Sequence, residues 1–187
     1  LQFVNKNEDD ADSLYFFGLF LLENGKDMRN ALYYFEKAAD AGNIDALFQC
    51  AHMYYEGNSD VKVDKEKALL FYEKAADSAA EKVAKNEGDH VDEERGAEAM
   101  FMVAKMLDEG DGVEMNKMVA LLYFKKAAEM NNQNAIKILN QKNKDYILRK
   151  KEIMDNDEAE NPINDTKEAK PSNDAKEAKP SNNAKDL

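Results

Sequence analysis

Ala31-Leu32-Tyr33-Tyr34-Phe35-Glu36-Lys37-Ala38-Ala39 occurs three times in this chain with small changes. It returns as Ala68-Leu69-Leu70-Phe71-Tyr72-Glu73-Lys74-Ala75-Ala76 and as Ala120-Leu121-Leu122-Tyr123-Phe124-Lys125-Lys126-Ala127-Ala128. In each copy alanine recurs seven residues on, and an aromatic pair lies between. Small and large apolar groups therefore share one stripe of a helix, and the charges take the opposite face. Three such helices in one chain are an internal repeat, and a repeat of this length means a stacked array rather than a single closed core.

Upstream of each copy lies a second amphipathic stretch: Ser13 to Gly25, Ala46 to Gly57 and Ala99 to Gly110. We name these helices A and the quoted helices B. Each helix A carries a small residue, Gly18, Ala51 or Ala104, that lets a neighbouring helix approach closely. Leu21, Tyr54 or Leu107 then fills the space one turn later. Gly57 and Gly110 suit the left-handed conformation that ends a helix, and Asp27, Asp64 and Asn116 stand where an N-cap should open helix B. The expected repeats span about 13–42, 46–77 and 99–131, within an array over 13–142.

Between the second and third repeats, Ser78 to Gly96 reads as an insertion that enlarges the connection. After the third, Ala135-Ile136-Lys137-Ile138-Leu139-Asn140 has helix A spacing without a following helix B. It is expected to form a capping helix over 133–155, running on through Tyr146 and Ile147, because terminal repeats need an altered outer face. Composition then changes. All three prolines (Pro162, Pro171, Pro180) lie beyond Asp155 and all eight glycines before it, and KEAKPSN occurs at 167–173 and again at 176–182. A stretch so poor in apolar residues cannot offset the entropy of ordering, so 157–187 is expected to be a disordered tail. Residues 1–12 read as a lead-in. The chain begins at Leu1 rather than Met, which fits a processed chain or a piece of a longer one.

The helix A pattern of alanine, apolar, small, aromatic and glycine, followed by Gly-Val, Asp or Asn, and Lys-Ala through Lys-Ala-Ala, resembles the Sel1-like repeat of the tetratricopeptide-like solenoids. The third repeat is nearest, with Gly110-Asp111-Gly112-Val113, Asn116 and Ala120. The first departs most, with a shortened loop after Gly25 and Leu21 in place of the usual aromatic. The resemblance covers about 130 of the 187 residues. It implies an all-α solenoid and a non-catalytic scaffold or adaptor, found alone, joined to enzymes such as protein kinases, or in endoplasmic-reticulum quality-control complexes.

If the helices follow the tetratricopeptide arrangement, helix A lines a concave groove. The positions three before each small residue, Tyr15, Phe48 and Phe101, and five after, Glu23, Glu56 and Glu109, then face it, with His52 and Lys105 between. Such a groove suits a peptide with apolar anchors and basic flanks. The same aromatics also suit packing against the preceding repeat, and the same glutamates a solvated face.

Other functions find little support. His52 and His90 are the only histidines, and Cys50, the only cysteine, lies two residues from His52 and so points to another face of the helix. The acidic run Asp108-Glu109-Gly110-Asp111-Gly112 lacks the ligand spacing of an EF-hand and reads as a repeat turn. No catalytic, cofactor or metal residues are assigned. The net charge of −12 repels nucleic acid and anionic bilayers. No apolar run has membrane-spanning length. A protein partner is expected, with self-association through the terminal helices as a further reading, because Leu1, Phe3 and Val4 have no assigned partner. A reducing, cytoplasmic setting fits the single cysteine. Asn164-Asp165-Thr166 and the closing Lys185-Asp186-Leu187 support the endoplasmic-reticulum lumen as the alternative.

Overall fold

The computed structural model describes residues 10–24 and 27–160, for 154–160 the backbone only. Most of the expected lead-in, the tail from residue 161 with its KEAKPSN repeats, and Gly25 lie outside the described residues. Those described form seven helices: α1 (Ala11–Asn24), α2 (Met28–Asp40), α3 (Ile44–Glu56), α4 (Lys65–Ala84), α5 (His90–Glu109), α6 (Lys117–Glu129) and α7 (Gln133–Glu160). Helices α1, α3 and α5 are the A helices, and α2, α4 and α6 the B helices. Each helix packs on the next through α6, and α3 also touches α5.

Short polar side chains open the helices. Asp27, Asp64 and Asn116 accept the backbone N–H of Asn30, Lys67 and Val119 at 3.1, 2.9 and 3.1 Å, as their position before helix B leads one to expect. Asp10, Asn43, Asp89 and Asn132 do the same for α1, α3, α5 and α7. Each cap satisfies one of the donors that a helix start leaves without a partner. The A–B loops are closed alike in two repeats: Asp64 N–H donates to the Tyr54 carbonyl at 2.9 Å, and Asn116 N–H to that of Leu107 at 2.8 Å. Gly57 (φ 65°) and Gly110 (φ 68°) make those turns; only Gly110 is in the left-handed helical region, Gly57 having an extended ψ of 176°.

The core repeats with the sequence. Phe35, Tyr72 and Phe124, the aromatic four residues after the first alanine of each copy, are 0%, 0% and 1% exposed, and the alanines seven apart in each copy are fully buried. Gly18, Ala51 and Ala104 lie buried on helix A. At Gly18 an added Cβ would stand 2.6 Å from Cε1 of Phe35, so the ring of helix B occupies the space that this glycine leaves. Tyr72 differs from its two phenylalanine counterparts by a hydroxyl that is buried and has no hydrogen-bond partner. Such a group loses water and gains nothing in return. Tyr72→Phe should therefore raise stability by about 1–2 kcal/mol, read as a shift of the urea midpoint at unchanged slope; a loss of stability would show that the hydroxyl is satisfied in solution.

The extra residues between the second and third repeats, Ser78 to Gly96, are mostly helical. Helix α4 runs on to Ala84 and α5 begins at His90, leaving only a short turn at 85–89. The physical reason is local, since Ser78 to Ala84 (SAAEKVA) is mostly good helix formers and Asp89 supplies the next cap. The two extensions pack through small residues, with Ala79 of α4 against Gly96 of α5, and Lys82 pairs with Asp92 at 3.0 Å. The last helix also exceeds its expected end at 155 and reaches Glu160, into the stretch expected to be disordered, because no glycine or proline interrupts it before Pro162.

The chain divides after Tyr146 into two units, and the array lies in the first. The described part of the second is the distal half of α7. Among the described residues no helix is long and apolar enough to cross a membrane.

Candidate partner-binding face

Three successive A helices contribute to one cluster of polar and aromatic side chains. Arg95 of α5 donates through Nε to Oδ1 of Asp45 on α3 at 2.7 Å, and its guanidinium lies 4.7 Å from the ring centroid of Phe48. Tyr15 of α1 adjoins this cluster. Its hydroxyl is held above the usual tyrosine range by burial and by Asp45, with Gln49 and Arg95 opposing. Tyr15, Asp45, Phe48, Gln49 and Arg95 are all half-buried, so the cluster is neither core nor free surface.

The expected aromatic ladder has a second occupation. Tyr15 packs on Phe35 at 5.7 Å, Phe48 meets Tyr72 edge-on at 5.3 Å, and Phe101 lies 5.9 Å from Phe124. Each ring thus rests on the buried aromatic of helix B in its own repeat, with part of its surface exposed. Glu23, Glu56 and Glu109 are exposed at the C-terminal ends of their helices, and His52 is exposed too. Lys105 is half-buried, close enough to Asp111 to help hold that carboxyl down.

Sequence reading missed Asp45, Gln49 and Arg95. Arg95 lies in the segment taken for an insertion, and it faces α3 only because α5 starts early. The recurring offset from the small residue would have singled out Asp45, six before Ala51, had the polar positions been aligned as closely as the aromatic ones.

A second set of polar groups joins repeat to repeat. Tyr54 of α3 donates to Glu36 of α2 at 2.7 Å, and Lys67 of α4 bonds to both. At the next junction Tyr55 donates to Asp111 at 2.5 Å, Lys65 bonds to the same carboxylate at 3.1 Å, and the Lys65 ammonium lies 3.2 Å from the Tyr55 ring centroid. The Tyr55 hydroxyl, and then Lys65, hold the Asp111 carboxyl below the usual range. Gly112 is required here for two reasons, since its φ is 72° and an added Cβ would stand 2.5 Å from the Lys65 side chain. Asp108 receives both its bonds from Lys142 of α7 at 2.9 Å. Two carboxylates of the acidic loop are therefore committed to lysines. Among the described residues no group of three or more histidine, cysteine or acidic side chains is arranged to hold a metal ion. Cys50 is fully buried, and burial pushes its thiol well up, so it stays protonated at neutral pH.

The family model for the Sel1 repeat matches this chain three times, over residues 11–43, 44–79 and 97–132. The chain belongs to the Sel1 repeat family. Those three Sel1 repeats coincide with the three A–B pairs, within two residues of the limits read from the sequence. Among solved structures, a Sel1 repeat protein from Oxalobacter formigenes superposes with a TM-score of 0.55 at 23% identity, covering 71% of this chain and 90% of that one, which shows the shared fold. A second, the protective antigen c5321 of uropathogenic Escherichia coli with its SLR fold, matches at 24% identity and a TM-score of 0.34, over 68% of this chain and 32% of that one. A search of the curated proteins finds no match. Sel1 repeat proteins generally act as protein-interaction scaffolds and are typically non-catalytic.

Proposed function

We infer that this array is a protein-binding scaffold whose partner is a basic peptide segment with apolar anchors, received on the surface of α1, α3 and α5. The carrying observation is the distribution of charge on that surface. Of the two bases on these helices, Arg95 is paired with Asp45 and Lys105 lies half-buried near Asp111, whereas Glu23, Glu56 and Glu109 stand exposed, one per A helix. The free charge along the A helices is thus acidic, beside the part-exposed rings of Tyr15, Phe48 and Phe101. Cationic side chains are attracted to both carboxylates and ring faces.

The aromatic rings are poor positions for a test, because their contacts with Phe35, Tyr72 and Phe124 make alanine variants lose stability. The glutamates are better. With a fluorescent peptide library as probe, the full chain should select sequences with lysine or arginine flanking apolar residues. Glu56→Gln with Glu109→Gln should weaken the selected peptide about tenfold at unchanged thermal midpoint. Raising salt should erase most of that difference. Selection of acidic peptides, or equal affinity in the double variant, would remove this reading.

A further inference from the structure

The cluster around Arg95 recurs in part along the array. Counting back six residues from Gly18, Ala51 and Ala104 gives Asp12, Asp45 and Glu98, an acid in every repeat. Tyr15, Phe48 and Phe101 follow one turn later on the same helices. In the first two repeats a donor from the next A helix reaches the acid. Asn43, the cap of α3, donates through Nδ2 to Asp12 at 2.7 Å. Arg95 of α5 donates through Nε to Asp45 at 2.7 Å, and its guanidinium lies 4.7 Å from the Phe48 ring centroid. The second repeat thus displays how this acid and this ring together hold a guanidinium.

The third repeat keeps the acid and the ring but lacks the donor. Ala135 of α7 is the counterpart of Ala46 and Ala99, so Asn131 stands where Arg95 stands and Asn132 where Asn43 stands. Asn131 is too short to cross to α5 as Arg95 crosses to α3, and Asn132 turns its amide to the Ala97 carbonyl at 3.5 Å. Among the described residues no lysine or arginine pairs with Glu98, which is exposed. Beside it the extended start of α5 and the α6–α7 turn enclose a cavity of about 290 Å³. His90, Glu93, Glu94 and Glu98 line it, with Ala97 and Met130 as its apolar wall and no lysine or arginine.

We propose that Glu98 and Phe101 form the anchoring subsite for one arginine of the bound peptide, whose guanidinium takes on α5 the place that Arg95 takes on α3. This rests on the reading of the A helices as a surface for basic peptides and narrows its chemistry. A planar guanidinium bonds a carboxylate through its fork and lies on a ring face at the same time, whereas an ammonium offers only a point charge. Glu93 and Glu94 add to the attraction. Asp45 would first have to give up Arg95, so the equivalent subsite on α3 is closed to the ligand while that on α5 is open.

Fluorescence anisotropy with matched labelled peptides tests this. The first has a lysine at each end, leucines within and one central arginine; in the others lysine or citrulline replaces the arginine. The full chain should bind the arginine peptide about tenfold more tightly than the citrulline peptide, and severalfold more tightly than the lysine peptide. Glu98→Gln should bring all of them to within about twofold of one another at an unchanged thermal midpoint. Glu98→Asp should keep part of the preference, which separates the carboxylate from any change of fold. Glu56→Gln with Glu109→Gln should weaken every peptide by a common factor and leave the preference for arginine intact. A preference that survives Glu98→Gln, or a full chain that binds the peptides alike, overturns the subsite and leaves the basic-peptide reading standing. A full chain that binds none of them overturns both.

Discussion

Phe35→Ala should lower the stability of the array by about 3–5 kcal/mol, near the upper end of that range. The ring is fully buried and makes its contacts with groups that cannot follow it inward. Gly18 has no side chain to swing into the cavity, and Tyr15 is held from the other side by its place beside Gln49 and Asp45. Removing a side chain costs most where the surroundings cannot collapse. The measurement is equilibrium unfolding in urea at constant slope, with a thermal midpoint lowered by roughly 10 °C. A loss below about 1.5 kcal/mol would mean that α1 slides onto α2 and fills the void. Phe124→Ala, whose neighbours are the more adaptable Phe101 and the Lys142 stem, should cost less.

The second large effect is expected at Gly96. A Cβ there would stand 2.3 Å from the Cβ of Ala79, and neither atom can rotate away because each is fixed to a helix backbone. Gly96→Ala should force α4 and α5 apart and destabilise by about 1–3 kcal/mol, although alanine is the better helix former by about 1 kcal/mol. Adding Ala79→Gly exchanges the two residues across the contact and should restore stability to near the starting value. The coupling measured by the four-member cycle is then favourable and about equal in size to the two single losses together. Additive effects would show that the helices are not in contact at this point.

The three copies of the helix B pattern made the architecture legible, because each copy repeats the same small and large positions and Asp27, Asp64 and Asn116 mark where each begins. Length was less legible. Ser78 to Gly96 exceeds the repeat and reads as an insertion, but only its own helix propensity tells that the insertion lengthens the helices on either side. Arg95 was lost with it. For the candidate site the sequence offers positions, not contacts. Counting from Gly18, Ala51 and Ala104 placed Tyr15, Phe48 and Phe101 in one row, but it could not tell that the rings rest on Phe35, Tyr72 and Phe124. That depends on pairing two helices in space, which no single helix encodes.

The polar groups that join the repeats bear on how the array deforms. Each junction is held by a partly exposed lysine–carboxylate contact: Lys67 with Glu36, Lys65 with Asp111, Lys142 with Asp108. The same junctions also bury apolar groups, with Ala79 of α4 against Gly96 of α5, in one core that runs through all three repeats and that salt does not screen. The ionic contacts are therefore trim along the edges of a continuous apolar spine. Raising the ionic strength should loosen those edges without parting the helices, so a ligand that spans several repeats meets much the same surface in any electrolyte.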